Sequence, residues 1–207
     1  ALDNTGKVYV WGLDSYGGNQ NDVNDLGIGT GSTIEITNIS STAYAFAALD
    51  NTGKVHVWGD ANNGGNQVVV NDLGIGPLPD STIIITDILS TDSAFAALDN
   101  TGKVYVWGLD SYGGQLPETL TNSTITQMFS TINAFTALTS DGMVVMWGTS
   151  ILPEGATDGV VVNAKIGIDG NGQDVNVIYN VETMSINGNT VTAIHNDGTG
   201  TTISWNM

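Results

Sequence analysis

Few residues in this chain could carry acid–base or nucleophilic chemistry. Its 207 residues contain two histidines, His56 and His195, and neither cysteine nor arginine. A hydrolytic triad needs a histidine held between a nucleophile and a carboxylate, and the spacing of these two histidines indicates no such set. His56 takes the place of Tyr9 and Tyr105 in a repeated block, which is typical of a tolerated variant. We therefore predict no catalytic residue.

Paired carboxylates could hydrolyse glycosidic bonds, and the chain has 21 aspartates and glutamates. These acids recur, however, at equivalent turn positions, where an aspartate side chain bonds to the nearby backbone and stabilises the turn. We therefore predict a non-enzymatic protein, with a hydrolase as the less favoured alternative. The recurring acids are Asp3, Asp50 and Asp99 in one set, and Asp14 and Asp110 in another.

One segment, residues 169–174, resembles a calcium-binding loop. Asp169, Asn171 and Asp174 offer hard oxygen ligands, and the glycines between them would let the loop fold around the ion. The segment occurs once and lacks a downstream bidentate glutamate. We therefore predict no cofactor, with calcium at these three residues as the alternative.

A repeated block of about twelve residues is the clearest pattern in the chain. It begins at Ala1, Ala48, Ala97 and Ala137, and a decayed copy begins at Ala193. Each of the first four copies contains an Asp-Asn-Thr-Gly or Ser-Asp-Gly turn, whose glycine supplies the positive φ of a tight hairpin. Each of these copies also ends in Trp-Gly. The turn glycines are Gly6, Gly53, Gly102 and Gly142, and the tryptophans are Trp11, Trp58, Trp107, Trp147 and Trp205.

Alternation of apolar and polar residues on both sides of each turn predicts strands. We expect hairpins at 1–12, 45–59, 94–108, 134–148 and 191–206, and a third strand before each later hairpin, at 33–39, 82–88, 124–129 and 174–184. The variable loops are 13–32, 60–81, 109–123 and 149–173. Such a unit of about 40–58 residues has the length of a propeller blade.

The five tryptophans recur in a fixed register, which favours core positions between blades over a ligand-stacking platform. The sequence therefore predicts one all-β, tandem-repeat β-propeller domain over residues 1–207.

The Ala-Leu, turn, Val-x-x-Trp-Gly and Gly-Gly elements resemble the regulator of chromosome condensation repeat, and Gly114-Gln115-Leu116 resembles its Gly-Gln-Leu element. The Ala-Phe-Ala-Ala-Leu and Ser-Thr elements are most similar to the bacterial and viral branch of that family. The resemblance implies blades from a seven-bladed ring and a surface or secreted protein. Five hairpins with four intervening segments then predict an incomplete ring or arc, part of a longer array or completed by another chain. The nuclear exchange role of the founding member is not carried over, because arginine and an identifiable exchange loop are lacking.

The net charge of −17 disfavours nucleic acid, because an acidic surface repels phosphates. No apolar stretch is long enough for a membrane helix, so we expect no membrane insertion. Loops that vary on a repeated scaffold usually carry function. We predict an extracellular or cell- or virion-surface interaction module that binds a protein or glycan through its variable loops. The alternative is self-association into a structural protein of a filament, fibre or virion.

Overall fold

The computed structural model describes residues 1–148 in full and, beyond them, the backbone of five strands. The strands form antiparallel sheets in sequence order: three sheets of three strands, one of two, and a last one of three. The sheets are β1 (Ile36–Ser41), β2 (Ala45–Asp50) and β3 (Val55–Gly59); β4 (Ile85–Ser90), β5 (Ala94–Asp99) and β6 (Val104–Gly108); β7 (Ile125–Ser130), β8 (Ala134–Thr139) and β9 (Val144–Gly148); β10 (Ala164–Ile168) and β11 (Asp174–Ile178); and β12 (Val181–Asn187), β13 (Thr190–His195) and β14 (Gly200–Ser204).

The predicted all-β propeller architecture is confirmed, since each three-stranded sheet is one blade. Four predicted hairpins coincide with β2–β3, β5–β6, β8–β9 and β13–β14. The tight turn between β2 and β3 depends on Gly53, whose φ of +79° is in the left-handed region that other residues rarely adopt.

The predicted hairpin at 1–12 is present as a short ladder around its turn. Leu2 and Val8 form an antiparallel bridge, Ala1 and Tyr9 each donate a backbone hydrogen bond to the other, and the Asp3 amide donates to the Lys7 carbonyl. One strand prediction was wrong. The segment 174–184, expected as one strand, divides into β11 and β12, which pair in different sheets. The third strands also begin one to three residues later than predicted, at Ile36, Ile85 and Ile125.

The variable loops contain short helices. Helix α1 (Gln20–Asp25) and helix α2 (Gln67–Asp72) lie in the first two variable loops. Short 3-10 helices precede α1 and α2 and recur in the third loop, at Asp14–Tyr16, Ala61–Asn63, Asp110–Tyr112 and Glu118–Leu120.

The core lies between successive blades. The apolar residues of the middle and outer strands alternate between the two faces of each sheet, and each face packs against a neighbouring repeat. One valine of each loop helix, Val23 in α1 and Val70 in α2, is fully buried in these clusters. Within the described residues, no helix has the length and hydropathy needed to cross a membrane.

Candidate interaction surface

A tryptophan clamp joins each of the first three blades to the loop of the preceding repeat. The Trp58 ring stacks on Phe46, with centroids 5.3 Å apart, and its indole N–H donates to the Gly17 carbonyl at 3.2 Å. The same arrangement recurs in the next two blades. Trp107 stacks on Phe95 and donates to Gly64, and Trp147 stacks on Phe135 and donates to Gly113.

The glycine of each clamp lies against the phenylalanine and has a positive φ. At Gly64, φ is +101° and an added Cβ would lie 2.5 Å from a Phe95 ring carbon. The following glycine packs on the backbone of the Trp-Gly element, since a Cβ on Gly65 would lie 2.6 Å from the Gly59 carbonyl carbon. The Gly-Gly elements are therefore required by blade packing.

Trp58, Trp107 and Trp147 are buried, but the predicted core role is wrong for Trp11, whose side chain is 75% exposed. Trp205 lies outside the described residues.

The recurring aspartates brace the hairpin turns. Asp50 Oδ1 accepts hydrogen bonds from the Thr52 amide and hydroxyl and from the Lys54 amide, at 2.7–3.0 Å. Asp3 and Asp99 make the same three bonds. The glycines of these three turns, Gly6, Gly53 and Gly102, and Gly142 of the fourth copy have φ between +75° and +86°.

The second oxygen of each aspartate binds the aromatic residue of its repeat. Tyr105 donates its hydroxyl to Asp99 Oδ2 at 3.2 Å, and His56 Nε2 lies 2.9 Å from Asp50 Oδ2. Burial alone would raise the pKa of Asp50, but hydrogen bonds from His56, Lys54 and Thr52 outweigh it and lower the pKa to about 2. The fourth copy has neither partner, with Thr139 and Val145 at these positions.

His56 is fully buried, and its Nδ1 has no hydrogen-bond partner. A side chain that solvent cannot reach has no route to a substrate, so its place is within the blade. His195 ends β13, whose side chains are not described. Among the predicted chemical residues within 1–148, Asp50 and His56 are the one pair that the structure brings together.

The loop helices cover the outer edge of the preceding hairpin. The side-chain amide of Gln67 makes the kind of hydrogen bonds that a neighbouring strand would make to β3. Its Oε1 accepts from the Val57 amide at 2.7 Å, and its Nε2 donates to the Val55 carbonyl at 3.2 Å. Gln20 makes the same pair of bonds to Val10 and Val8. A side-chain amide thus satisfies an edge that would otherwise be open.

A cleft opens between the second and third variable loops. This loop cleft, of about 550 Å³, is lined by Val69 of α2, by Val106 and Trp107 of β6, and by Leu109 and Asp110 after that strand. A second cleft of about 330 Å³ shares Asp110 and includes Glu118. Sequence reasoning identified these loops but not the cleft, because its walls come from segments about 40 residues apart.

On another surface, a cleft of about 560 Å³ is lined by the Ser-Thr elements of three blades. Its threonines are engaged locally. Thr91 Oγ1 accepts from the Ala94 amide at 3.1 Å and donates to the Tyr112 carbonyl at 2.9 Å. These hydroxyls close the turn between β4 and β5.

Residues 1–148 contain no group of three or more His, Cys, Asp or Glu side chains that could hold a metal ion. Of the three predicted calcium ligands, Asp169 and Asn171 lie outside the described residues. Asp174 begins β11, of which only the backbone is described.

No family model matches the sequence, and no curated protein matches it. Human WBSCR16 is similar in structure, with a TM-score of 0.55 and 15% identity over 83% of this chain and 47% of that protein. Prp20p from Saccharomyces cerevisiae follows, with a TM-score of 0.47 and 17% identity over 84% of this chain and 46% of that one. The CRINKLY WD40 ectodomain of the Arabidopsis thaliana receptor kinase ACR4 has a TM-score of 0.46 and 13% identity, over 84% and 55% of the two chains.

The chain spans about half the length of these structures and forms an incomplete propeller. At this identity, the similarity to WBSCR16 establishes the β-propeller fold, and nothing about activity follows from it.

Proposed function

We propose that this chain is a non-enzymatic interaction module that binds a partner protein through its second and third variable loops. One observation supports this proposal above the others. The Trp-Phe-Gly clamp is the same at three blade junctions, whereas the loops differ in length, helix content and exposed side chains. A constant scaffold with unlike loops is the usual arrangement of a binding protein.

Loop exchange within the chain tests this proposal. Residues 60–81 would be replaced by residues 13–32, which occupy the same place in the first repeat. Partners cross-linked to the wild type would be identified by mass spectrometry, and the exchanged variant should lose them while keeping its circular dichroism spectrum. Retention of the same partners after exchange of 60–81, and separately after shortening of 109–123, would contradict the proposal.

We further propose that the chain is a distant relative of the regulator of chromosome condensation repeat family, displayed outside the cell or on a cell or virion surface. Four lysines and no arginine leave few sites for trypsin-like proteases, which suits that location. A glycan is the alternative ligand of the same loops, and a glycan array probed with the wild type and the exchanged variant distinguishes it. Calcium at Asp169, Asn171 and Asp174 stays a proposal, tested by comparing Tm in calcium and in chelator.

A self-assembling structural protein of a filament, fibre or virion is the second candidate function. The exposed Trp11 and Leu13 favour it, because they offer apolar surface to a second copy of the chain. Sedimentation velocity over a range of protein concentrations tests it. Self-assembly predicts oligomers that Trp11→Ser disperses, and a wild type that stays monomeric at high concentration would overturn it.

A further inference from the structure

We propose that the loop cleft binds an extended, cationic segment of the partner protein, anchored by one or two aliphatic side chains. This inference rests on the proposed function and specifies the chemistry of the ligand. The cleft, of about 550 Å³, has the size that accommodates a few side chains and not a folded domain.

Accessible apolar side chains line the cleft on both sides, beside the polar Asn62 and Asn66. Val69 and Leu109 are each 40% exposed and face it from opposite loops, with Val106 and the edge of Trp107 between them. Burying such side chains against an aliphatic anchor removes apolar surface from water, which is the main source of affinity in small pockets.

The first repeat shows that the fold does not require these apolar walls. At the junction of the first and second repeats, Asp22 occupies the place of Val69, and Asp60 occupies the place of Leu109. The backbone elements are the same in both copies, so a polar pair is compatible with the scaffold. The apolar pair at the loop cleft is therefore a local feature of its surface.

Leu109 also occupies a position where a polar residue would serve the fold better. It stands just before the 3-10 helix Asp110–Tyr112 and makes no side-chain capping bond. Asp60, its equivalent, caps the helix Ala61–Asn63 by accepting from the amides of Asn62 and Asn63. Aspartate at such a position is stabilising. Leu13 of the first repeat is likewise exposed and makes no cap, and at the loop cleft the equivalent Leu109 supplies apolar surface.

The acidic residues around the cleft favour a positively charged ligand. Asp110 lies on its rim and is shared with the adjoining cleft that contains Glu118. The lysines of the described part are engaged elsewhere, since Lys54 donates to carbonyls of its own loop and Lys103 lies over the Tyr105 ring. Because the whole chain has a net charge of −17, this surface attracts lysine and arginine side chains.

Fluorescence anisotropy with labelled peptides tests the inference. The probe is a short peptide with two central leucines flanked by lysines, compared with versions in which glutamate replaces lysine or serine replaces leucine. We expect the leucine–lysine peptide to bind about tenfold or more tightly than either other peptide, with affinity that falls as salt is raised.

Val69→Asp combined with Leu109→Asp should weaken this binding about tenfold or more. The two added carboxylates increase nonspecific attraction for a cation, so weaker binding can only reflect the lost apolar walls. The matched control is Val68→Asn on the same helix, which is exposed, lies off the cleft lining, and copies Asn21 of the first repeat. Circular dichroism should show a Tm no lower than wild type, because Asp at 109 caps its helix.

The inference would be overturned if the double variant bound the leucine–lysine peptide as tightly as the wild type does. It would also be overturned if the wild type bound the glutamate peptide as tightly as the leucine–lysine peptide. Either result would leave the proposed function intact if the loop exchange still abolishes partner capture. Unchanged partner capture in the loop exchange would instead overturn the proposed function itself.

Discussion

At the scale of single residues, an aspartate and an aromatic residue vary together among the copies of the hairpin. Asp3 pairs with Tyr9, Asp99 with Tyr105 and Asp50 with His56. In the fourth copy, threonine (Thr139) replaces the aspartate and valine (Val145) replaces the aromatic residue. The carboxylate in each of the first three copies both closes the turn and binds the second strand. Where the carboxylate is missing, its donor is missing too, which avoids a buried group without a partner.

His56 is the least well-satisfied member of this set, because its buried Nδ1 has no partner. We expect His56→Tyr to raise the free energy of unfolding by about 1 kcal/mol, since a tyrosine hydroxyl can reach Asp50 as Tyr105 reaches Asp99. Urea denaturation measures the change. The reciprocal Tyr105→His is the control and should destabilise the protein. A destabilised His56→Tyr would mean that the site is too small for the phenol ring.

Asp50 should also make stability depend on pH. Its pKa is lowered from 3.8 to about 2 in the folded protein. A carboxylate with a lowered folded pKa contributes stability that is present above about pH 4 and is lost as pH falls towards 2. We expect the urea midpoint to fall across this range, and to fall less in Asp50→Asn. Because Asp3 and Asp99 have lowered pKa values as well, part of the dependence should remain. If the urea midpoint of Asp50→Asn fell with pH as steeply as that of the wild type, Asp50 would not be a source of the pH dependence.

At the scale of elements, the clamp glycine determines how closely a loop approaches the next blade. Gly64→Ala introduces both a strained φ of +101° and a Cβ 2.5 Å from a Phe95 carbon. We expect it to cost about 2–4 kcal/mol, of which about 1–2 kcal/mol is backbone strain and the rest overpacking. Gly31→Ala is the matched control, because its φ is +80° and nothing lies within 4 Å. Equal losses in both variants would show that steric contact contributes nothing.

The loop helices also stabilise the blades, because their glutamines bond to a strand edge. Gln67→Leu should leave the Val57 amide without its acceptor, and we expect hydrogen exchange at that amide to become about tenfold faster. The Val10 amide is an internal control, because its acceptor, Gln20, is unchanged. Unchanged exchange at Val57 would mean that this bond does not protect the strand edge.

These elements also show what could be predicted from the sequence. The hairpins were predictable because alternation and turn glycines are local signals, as at Gly53. The helix Gln67–Asp72 was not, because few of its residues favour helices and it depends on an Asn66 cap and on the bonds of Gln67 to a strand. The exposure of Trp11 was missed because a repeated residue can have unlike neighbours. The loop cleft needed two loops in their folded positions.

At the scale of the whole molecule, acidic groups greatly outnumber basic ones, and the net charge is −17. Within residues 1–148, Asp50 is the one carboxylate with a basic nitrogen within 4.0 Å, that of His56, so most carboxylates have no cation nearby. Their mutual repulsion should destabilise the compact state and be screened by salt.

We therefore expect NaCl to raise Tm, by about 2–4 °C for each kcal/mol of repulsion that it screens in a domain of this size. Asp25→Lys with Asp80→Lys is the control, because it lowers the net charge to about −13 at two surface positions and should reduce the salt effect. A Tm that falls with NaCl would mean that attractive pairs dominate the surface. Salt should thus act in opposite directions on the two properties of this protein, since it stabilises the fold while weakening the binding of a cationic segment at the loop cleft.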